Sequence, residues 1–246
     1  MLTLNEFPMN QEFNAKIFLA DKRGCNETDW FRSYSTFNFG EYFDEYKHPF
    51  GNLYGLNDNT IGAGHAVSVR PDKNSCVLLL PVVGAILCKT DDGHMSIANT
   101  GQLQIFRTTG EAAIELKNCY KNELINFLEV WIKADIPGSN DINRLLTFNL
   151  DENKNQLIRI TESIITDPDN PVVSIGKFTG RHEAVYALKG KQNNLFIFVI
   201  EGAFEVEGRL LHARDGLALW NGAGEIELEA LSNDAIMLTI EMNKAL

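Results

Sequence analysis

The sequence is short of cysteine and of clustered positive charge, and both shortages narrow the possible classes of protein. Its four cysteines, Cys25, Cys76, Cys88 and Cys119, include no Cys-x-x-Cys pair, so nothing points to an oxidising compartment. There are 22 Lys and Arg against 33 Asp and Glu, which gives a net charge of −11. Nucleic acid is therefore not a predicted partner, because phosphate binding needs a clustered basic surface.

Long hydrophobic runs are also lacking. The longest extends from Val77 to Cys88 and is interrupted by Pro81 and Gly84. A helix that spans a bilayer needs about 20 apolar residues, so this run does not predict a membrane span. The first residues carry neither the basic segment nor the apolar core of a signal peptide. We therefore expect a cytoplasmic protein with free thiols and no membrane partner.

What the sequence does have is a β pattern. Of its 246 residues, 44% are hydrophobic and 22% charged, the composition of an ordinary globular protein. Short apolar or alternating runs are cut by turn residues every 8 to 12 positions, which is typical of an all-β sandwich or barrel. The clearest runs are Leu195–Ile200, Phe204–Glu207, Leu217–Trp220, Glu225–Leu231 and Ala235–Ile240. The segment Asn122–Ile132 is also interpreted as a strand, because its end is rich in β-branched and aromatic residues.

Two stretches of the chain resemble each other. Pro-Val-Val-Gly-Ala-Ile-Leu-Cys around Gly84 is similar to Ile-Glu-Gly-Ala-Phe-Glu-Val around Gly202. A second match aligns Gly101 with Gly216 at nearly the same offset. Each half then repeats one plan of strand, glycine turn and strand, which predicts a duplicated antiparallel β-barrel.

The join between the halves is expected near residues 136–141, where Ile-Pro-Gly-Ser-Asn-Asp forms the densest mid-chain cluster of turn-forming residues. We therefore predict an N-terminal domain over residues 1–137 and a C-terminal domain over residues 138–246.

The segment Trp30–Asp44 reads W-F-R-S-Y-S-T-F-N-F-G-E-Y-F-D, and F-G-N-L-Y-G-L-N-D follows from Phe50. Together they resemble the opening of the pirin-related bicupins, which read W-x-x-S-x-x-T-F-S-F-x-x-Y-Y-D and then F-G-x-L-x-V-I-N-D-D. Residues Ala20–Gly24 fit that family's N-terminal strand, and Val172–Met242 is similar to its second cupin. The resemblance implies two cupin-type antiparallel barrels with few short helices.

The resemblance also implies chemistry. In that family the first barrel binds Fe, Mn or Ni through two histidines of an H-P-H segment and the His and Glu of an H-x-E segment. Some members resemble quercetin dioxygenases, and others are regulators. Here the H-P-H slot reads Arg70-Pro71-Asp72, and the acidic position after it falls on Cys76. The H-x-E slot falls on Ile114-Glu115-Leu116, or one residue to either side if Thr109-Gly110 forms a bulge. No histidine occupies a ligand slot, so no metal cofactor is predicted, since two carboxylates without imidazole hold Fe or Mn weakly.

The candidate pocket residues are accordingly Arg70, Asp72, Cys76 and Glu115, and none is assigned a catalytic role. Positions two apart on a strand share a face, so Arg70 and Asp72 are expected on the former ligand face. One interpretation is that Arg70 binds an anionic small molecule in place of the metal charge. The other is that Arg70 pairs with Asp72 or Glu115 and fills an unused pocket.

Other residues offer less. The five histidines are scattered, without ligand spacing, and Cys76 and Cys88 read as small hydrophobic residues on apolar strands. Three functions stay open. The first is a metal-free bicupin that binds a small molecule or a protein, the second a quercetinase-type dioxygenase, and the third a cofactor-free enzyme or sensor using Arg70 and Asp72. The sequence specifies no protein partner.

Overall fold

A computed structural model describes residues 12–108, 112–133, 142–161, 171–190, 192–222 and 224–243. Across these residues the chain is nearly all β, with strands β1 to β21 and one 3₁₀ helix at Ala20–Lys22. The predicted fold class is confirmed. The 3₁₀ helix lies where the N-terminal strand was expected at Ala20–Gly24, and Asp215 fixes it by accepting a hydrogen bond from the Ala20 backbone N–H at 2.7 Å.

The N-terminal barrel consists of two antiparallel sheets around one apolar interior. Its large sheet contains, in spatial order, β12 (Ile142–Thr147), β9 (Gln102–Thr108), β6 (Ser75–Val83), β11 (Ile125–Lys133), β4 (Leu53–Ile61), β3 (Phe31–Ser35) and β2 (Gly24–Glu27). Its small sheet contains β5 (Ala66–Val69), β10 (Ile114–Lys117), β7 (Ala85–Thr90) and β8 (Met95–Asn99).

The C-terminal barrel repeats this plan around a second interior. Its large sheet contains β1 (Asn14–Phe18), β19 (Gly216–Trp220), β16 (Asn194–Glu201), β21 (Ala235–Met242), β14 (Val172–Phe178) and β13 (Leu157–Arg159). Its small sheet contains β15 (Glu183–Ala187), β20 (Glu225–Ala230), β17 (Ala203–Val206) and β18 (Arg209–His212).

The two barrels exchange edge strands. β1, from the first half of the chain, pairs with β19 of the C-terminal barrel, and β12, from the second half, pairs with β9 of the N-terminal barrel. Each exchanged strand caps an edge that would otherwise present unpaired backbone groups. The predicted boundary at residue 137 lies outside the described residues and stays a prediction.

A third apolar core lies between the two large sheets, and we call it the interface core. Strand β6 shows how it arises, because Leu78 and Leu80 face this core while Val77 and Leu79 face the N-terminal barrel interior. A strand buried on both faces reads as a continuous apolar run, which explains the run from Val77 in the sequence. In the described part of the chain, no helix is long and apolar enough to cross a membrane.

The duplication detected in the sequence is present, with one shift. Gly84 and Gly202 both occupy the turn after a central strand and have φ of 79° and 77°, as the first match predicts. When the barrels are aligned in this way, the pairing of neighbouring strands makes Gly101 of the N-terminal barrel equivalent to Arg214 of the C-terminal barrel. The second match, which aligned Gly101 with Gly216, is therefore wrong by two residues. Gly101 and Arg214 share the left-handed backbone region, with φ of 84° and 71°.

Candidate functional site

The interior of the N-terminal barrel is where the family resemblance locates a metal centre. Strand β10 belongs to the small sheet that forms one wall of this interior, and its side chains point alternately into the barrel and outward. Ile114 and Leu116 are fully buried in the barrel core, whereas Glu115 is exposed on the outer face, opposite Ser68 and Lys89. The first and third residues of the H-x-E slot, Ile114 and Leu116, therefore place apolar side chains inside the barrel. The predicted pocket residue Glu115 points into solvent.

Arg70 and Asp72 do not share an inward strand face, because β5 ends at Val69. Both side chains are exposed, and only Pro71 between them is buried. Asp72 forms its ion pair with Lys133, whose Nζ lies 2.6 Å from Oδ2. Within the described ranges, no ion pair joins Arg70 to Asp72 or Glu115, so the expected pair that fills the pocket is not found.

Cys76 lies on a different surface again. It is buried on the face of β6 that meets the interface core, and burial raises the pKa of its thiol to about 11. Cys88 does lie inside the N-terminal barrel, where burial raises its thiol pKa to about 12. Arg70, Asp72, Cys76 and Glu115 therefore do not converge on one pocket. A ligand-binding role for any one of them stays a prediction.

The sequence reasoning missed the acid that does point into this barrel. Glu129 lies in β11 on the same face as Phe127 and Trp131, and only 2% of it is exposed. Its register partner on β4 is Asn57, and Asn59 follows on the same face. The sequence did contain a signal for this residue, because Glu129 is the single acid in the apolar run from Phe127 to Ile132. It lies two positions from both Phe127 and Trp131, so on a strand all three side chains share one face.

Hydrogen bonding leaves the Glu129 carboxyl only half satisfied. The Nδ2 atoms of Asn59 and Asn57 donate to Oε2 at 2.8 and 3.4 Å. Oε1 and the amide oxygens of both asparagines have no partner among the described residues. Burial raises the pKa of Glu129, and the two amides and the Trp131 indole oppose that rise only in part. The group is therefore suited to hold a proton and to donate or accept one hydrogen bond inside an apolar barrel.

The residues present do not fit Fe, Mn or Ni, which bind to imidazole and carboxylate ligands held on facing strands. In the part of the chain that the structure describes, no group of three or more His, Cys, Asp or Glu side chains could hold an ion. His65 is exposed and stacks on Trp30 with ring centres 4.7 Å apart. Glu129, whose side chain points into the barrel, accepts hydrogen bonds from the Asn57 and Asn59 amides and has no histidine beside it to complete a metal site.

A second buried polar group connects the two barrels. Asp58 on β4 accepts hydrogen bonds from Arg23 at 3.1 Å and from Asn126 at 2.7 Å. Arg214 of the C-terminal barrel approaches the same carboxylate at 3.6 Å. The left-handed backbone of Arg214, which is uncommon for a residue other than glycine, positions this contact. We assign the cluster to domain orientation, since its charges are already paired.

Two similar antiparallel barrels that pack through their large sheets define a bicupin. Residues 170–242 match the family described as "Quercetinase C-terminal cupin domain". The chain is 23% identical over 228 residues to quercetin 2,3-dioxygenase of Escherichia coli K12, covering 89% of this chain and 95% of that protein. It is also 22% identical over 224 residues to a pirin-like protein of Caulobacter vibrioides, with the same coverage.

Solved structures agree on the fold. The bacterial pirin YhhW from Escherichia coli, in complex with nickel(II), matches with a TM-score of 0.82 at 20% identity, covering 94% of this chain and 100% of that one. Quercetin 2,3-dioxygenase from Acinetobacter baumannii matches with a TM-score of 0.72 at 15% identity, covering 95% and 87%. The chain therefore has the two-barrel fold of these proteins, and its C-terminal part matches the cupin family of quercetinases.

Proposed function

We propose that this bicupin is a metal-free module that binds a small molecule, and that its N-terminal barrel has replaced the family's metal ligands with apolar packing. One observation carries the proposal. Ile114 and Leu116 direct hydrocarbon into the barrel at the ends of the slot where the resemblance implies His and Glu. Neither side chain can donate an electron pair to a metal ion.

The interior that results is apolar and contains one polar group. The walls are hydrocarbon and aromatic, and Glu129 supplies a carboxyl whose Oε1 has no protein partner among the described residues. Sites for small organic ligands are typically apolar with a few well-placed polar groups. In this proposal Glu129 positions the ligand rather than reacting with it. We infer a cytoplasmic location from the free cysteines.

The alternative function is that of a metal-dependent quercetinase-type dioxygenase. It is supported by the names of related proteins, among them quercetin 2,3-dioxygenases from Escherichia coli K12 and Acinetobacter baumannii. A shared cupin fold does not decide between the two, because one fold carries many functions. Oxygen uptake with quercetin in the presence of added Fe, Mn or Ni separates them. We expect no turnover above the protein-free rate, and metal-dependent turnover would establish the alternative.

Metal binding is the direct test. Protein purified without a chelating column should contain less than about 0.1 equivalent of Fe, Mn, Ni or Zn by elemental analysis, and nickel titration should show no tight site. Stoichiometric metal in the wild-type protein would contradict the proposal.

A gain-of-function variant makes the test sharper. Restoring the slots with Arg70→His, Asp72→His, Ile114→His and Leu116→Glu should produce nickel affinity at least about a hundredfold above wild type, because the last two side chains point inward. The matched control combines Arg70→His and Asp72→His with Glu115→His, which points outward on the same strand. Equal nickel affinity in both variants would show that the slot assignment is wrong.

A further inference from the structure

A pocket of about 210 Å³ opens at the end of the interface core, outside both barrel interiors. Phe18 of β1 and Trp220 of β19 contribute to its wall from the C-terminal barrel's large sheet. Phe50, from the segment before β4, contributes to the wall from the N-terminal barrel. The pocket therefore exists only because the two barrels pack together.

The walls provide flat aromatic surfaces. The ring centres of Phe50 and Trp220 lie 6.0 Å apart, and the ring centre of Phe50 is 6.2 Å from that of Phe196 in the interface core. Aromatic groups favour offset or edge contacts at such distances. An engineered apolar cavity of about 150 Å³ is large enough to bind benzene, so this pocket has room for one ring with a small substituent.

Positive charge gathers at the same place in a protein of net charge −11. Lys16 lines the pocket, and its Nζ lies 5.0 Å from the Phe18 ring centre while donating to the Tyr46 carbonyl at 2.6 Å. Lys47 lies beside the pocket with Nζ 5.3 Å from the same ring. Among the described side chains that line the pocket, none carries a carboxylate.

The side chains of Lys47 and Asn194 form no hydrogen bond with the described residues. Lys47 is only 8% exposed, yet its ammonium forms no hydrogen bond or ion pair with the described residues. Asn194 at the start of β16 is 9% exposed and lines the pocket, and its amide has no hydrogen-bond partner among those residues. The Asn194 amide and the Lys47 ammonium therefore each have hydrogen-bonding capacity left for a ligand at this pocket.

We infer that this pocket binds a small aromatic carboxylate with a single ring. The ring lies against Phe50 and Trp220, and the carboxylate faces Lys16, with the Asn194 amide as a second donor. Lys47 adds long-range attraction. Burial lowers the pKa of its ammonium, and the carboxylates of Asp44 and Asp21 oppose that lowering. The site lies outside the N-terminal barrel, so the inference holds whether or not that barrel binds a metal.

Benzoate and its neutral isostere benzamide are suitable probes for calorimetric and ligand-observed NMR titration of the full chain. We expect benzoate to bind at least tenfold more tightly than benzamide, with the same affinity in EDTA and in excess nickel. Lys16→Met and Asn194→Asp should each weaken benzoate binding at least tenfold. The control is Lys22→Met, which removes the same charge from an exposed residue whose Nζ lies 3.6 Å from Asp21.

Thermal unfolding of each variant establishes that it is folded before it is titrated. If Lys16→Met does not fold, Lys16→Gln tests the same charge with a polar side chain. Equal binding of benzoate and benzamide, equal effects of Lys16→Met and Lys22→Met, or no benzoate binding would each overturn the inference. If benzoate bound only in the presence of nickel, its site would be a metal site and not this pocket, and the inference would also be overturned.

Discussion

The two barrels share a scaffold but differ in the polar groups that they bury. When they are aligned through Gly84 and Gly202, the strand register places Thr239 of β21 where the N-terminal barrel has Glu129. Asn57 likewise corresponds to Ser174. One interior therefore contains a carboxyl between two amides, and the other contains small hydroxyls at the same positions.

The C-terminal barrel has its own buried acid two residues further along. Glu241 occupies the position of Trp131 and accepts four hydrogen bonds, from the Tyr186 hydroxyl, the Asn193 amide and the backbone N–H groups of Lys189 and Gly190. Those donors belong to the loop between β15 and β16 and to β15 itself. Glu241 thus fixes a loop to the barrel, whereas Glu129 keeps one oxygen without a hydrogen-bond partner among the described residues.

The difference shows how two copies of one barrel diverge. A buried acid with every lone pair in use stabilises the fold, and a buried acid with spare hydrogen-bonding capacity is available to a ligand. The scaffold residues, such as the two turn glycines, are retained in both copies because their backbone conformations are required.

The largest expected effect comes from removing each acid. Glu241→Leu leaves four donors without an acceptor and should lower the free energy of unfolding by about 4 kcal/mol. Glu129→Leu leaves two amides unpaired and should cost about 1–2 kcal/mol. Urea unfolding followed by fluorescence and circular dichroism measures both. Equal costs would show that the two acids have the same structural role.

A smaller effect is expected from the pH dependence of stability. Since burial raises the pKa of Glu129, the folded state holds its proton more tightly than the unfolded chain does. The stabilisation that results is complete below the ordinary pKa of 4.5 and is lost as the pH rises through the folded pKa. Each pH unit between the two values corresponds to about 1.4 kcal/mol.

Glu129→Gln removes this titration while keeping the shape of the side chain. The stability of the variant relative to wild type should therefore improve as the pH rises from 4 to 8, measured by urea unfolding at each pH. Glu115→Gln, on the exposed face of β10, is the matched control and should show no such trend. A flat difference for Glu129→Gln would show that its carboxyl is ionised in the fold.

The smallest effect concerns the counterpart of Glu129. The Thr239 hydroxyl is buried with no hydrogen-bond partner among the described residues. Thr239→Val preserves the shape and removes the desolvated hydroxyl, so the variant should be about 0.5–1 kcal/mol more stable than wild type. Destabilisation by more than about 1 kcal/mol would reveal a partner for that hydroxyl and weaken the contrast between the barrels.

Much of the fold could be predicted from residue patterns alone. Alternating runs and turn residues predict antiparallel strands, and the matched glycines predict a duplication, because these signals depend only on local backbone geometry. The segment after Trp30 indicates the family. The absence of histidine from the ligand slots is likewise a property of the chain itself.

The placement of the site residues could not be predicted in the same way. Alternation tells which residues share a face, but β6 is buried on both faces, so nothing local shows that Cys76 meets the interface core rather than the barrel interior. β1 and β12 pair with the opposite halves of the chain because sheet edges are completed by long-range contacts. Composition and period therefore determine an acidic, duplicated β protein. The tertiary structure decides that Glu129 is enclosed within the N-terminal barrel and that Lys16 and Asn194 share a pocket between the two barrels.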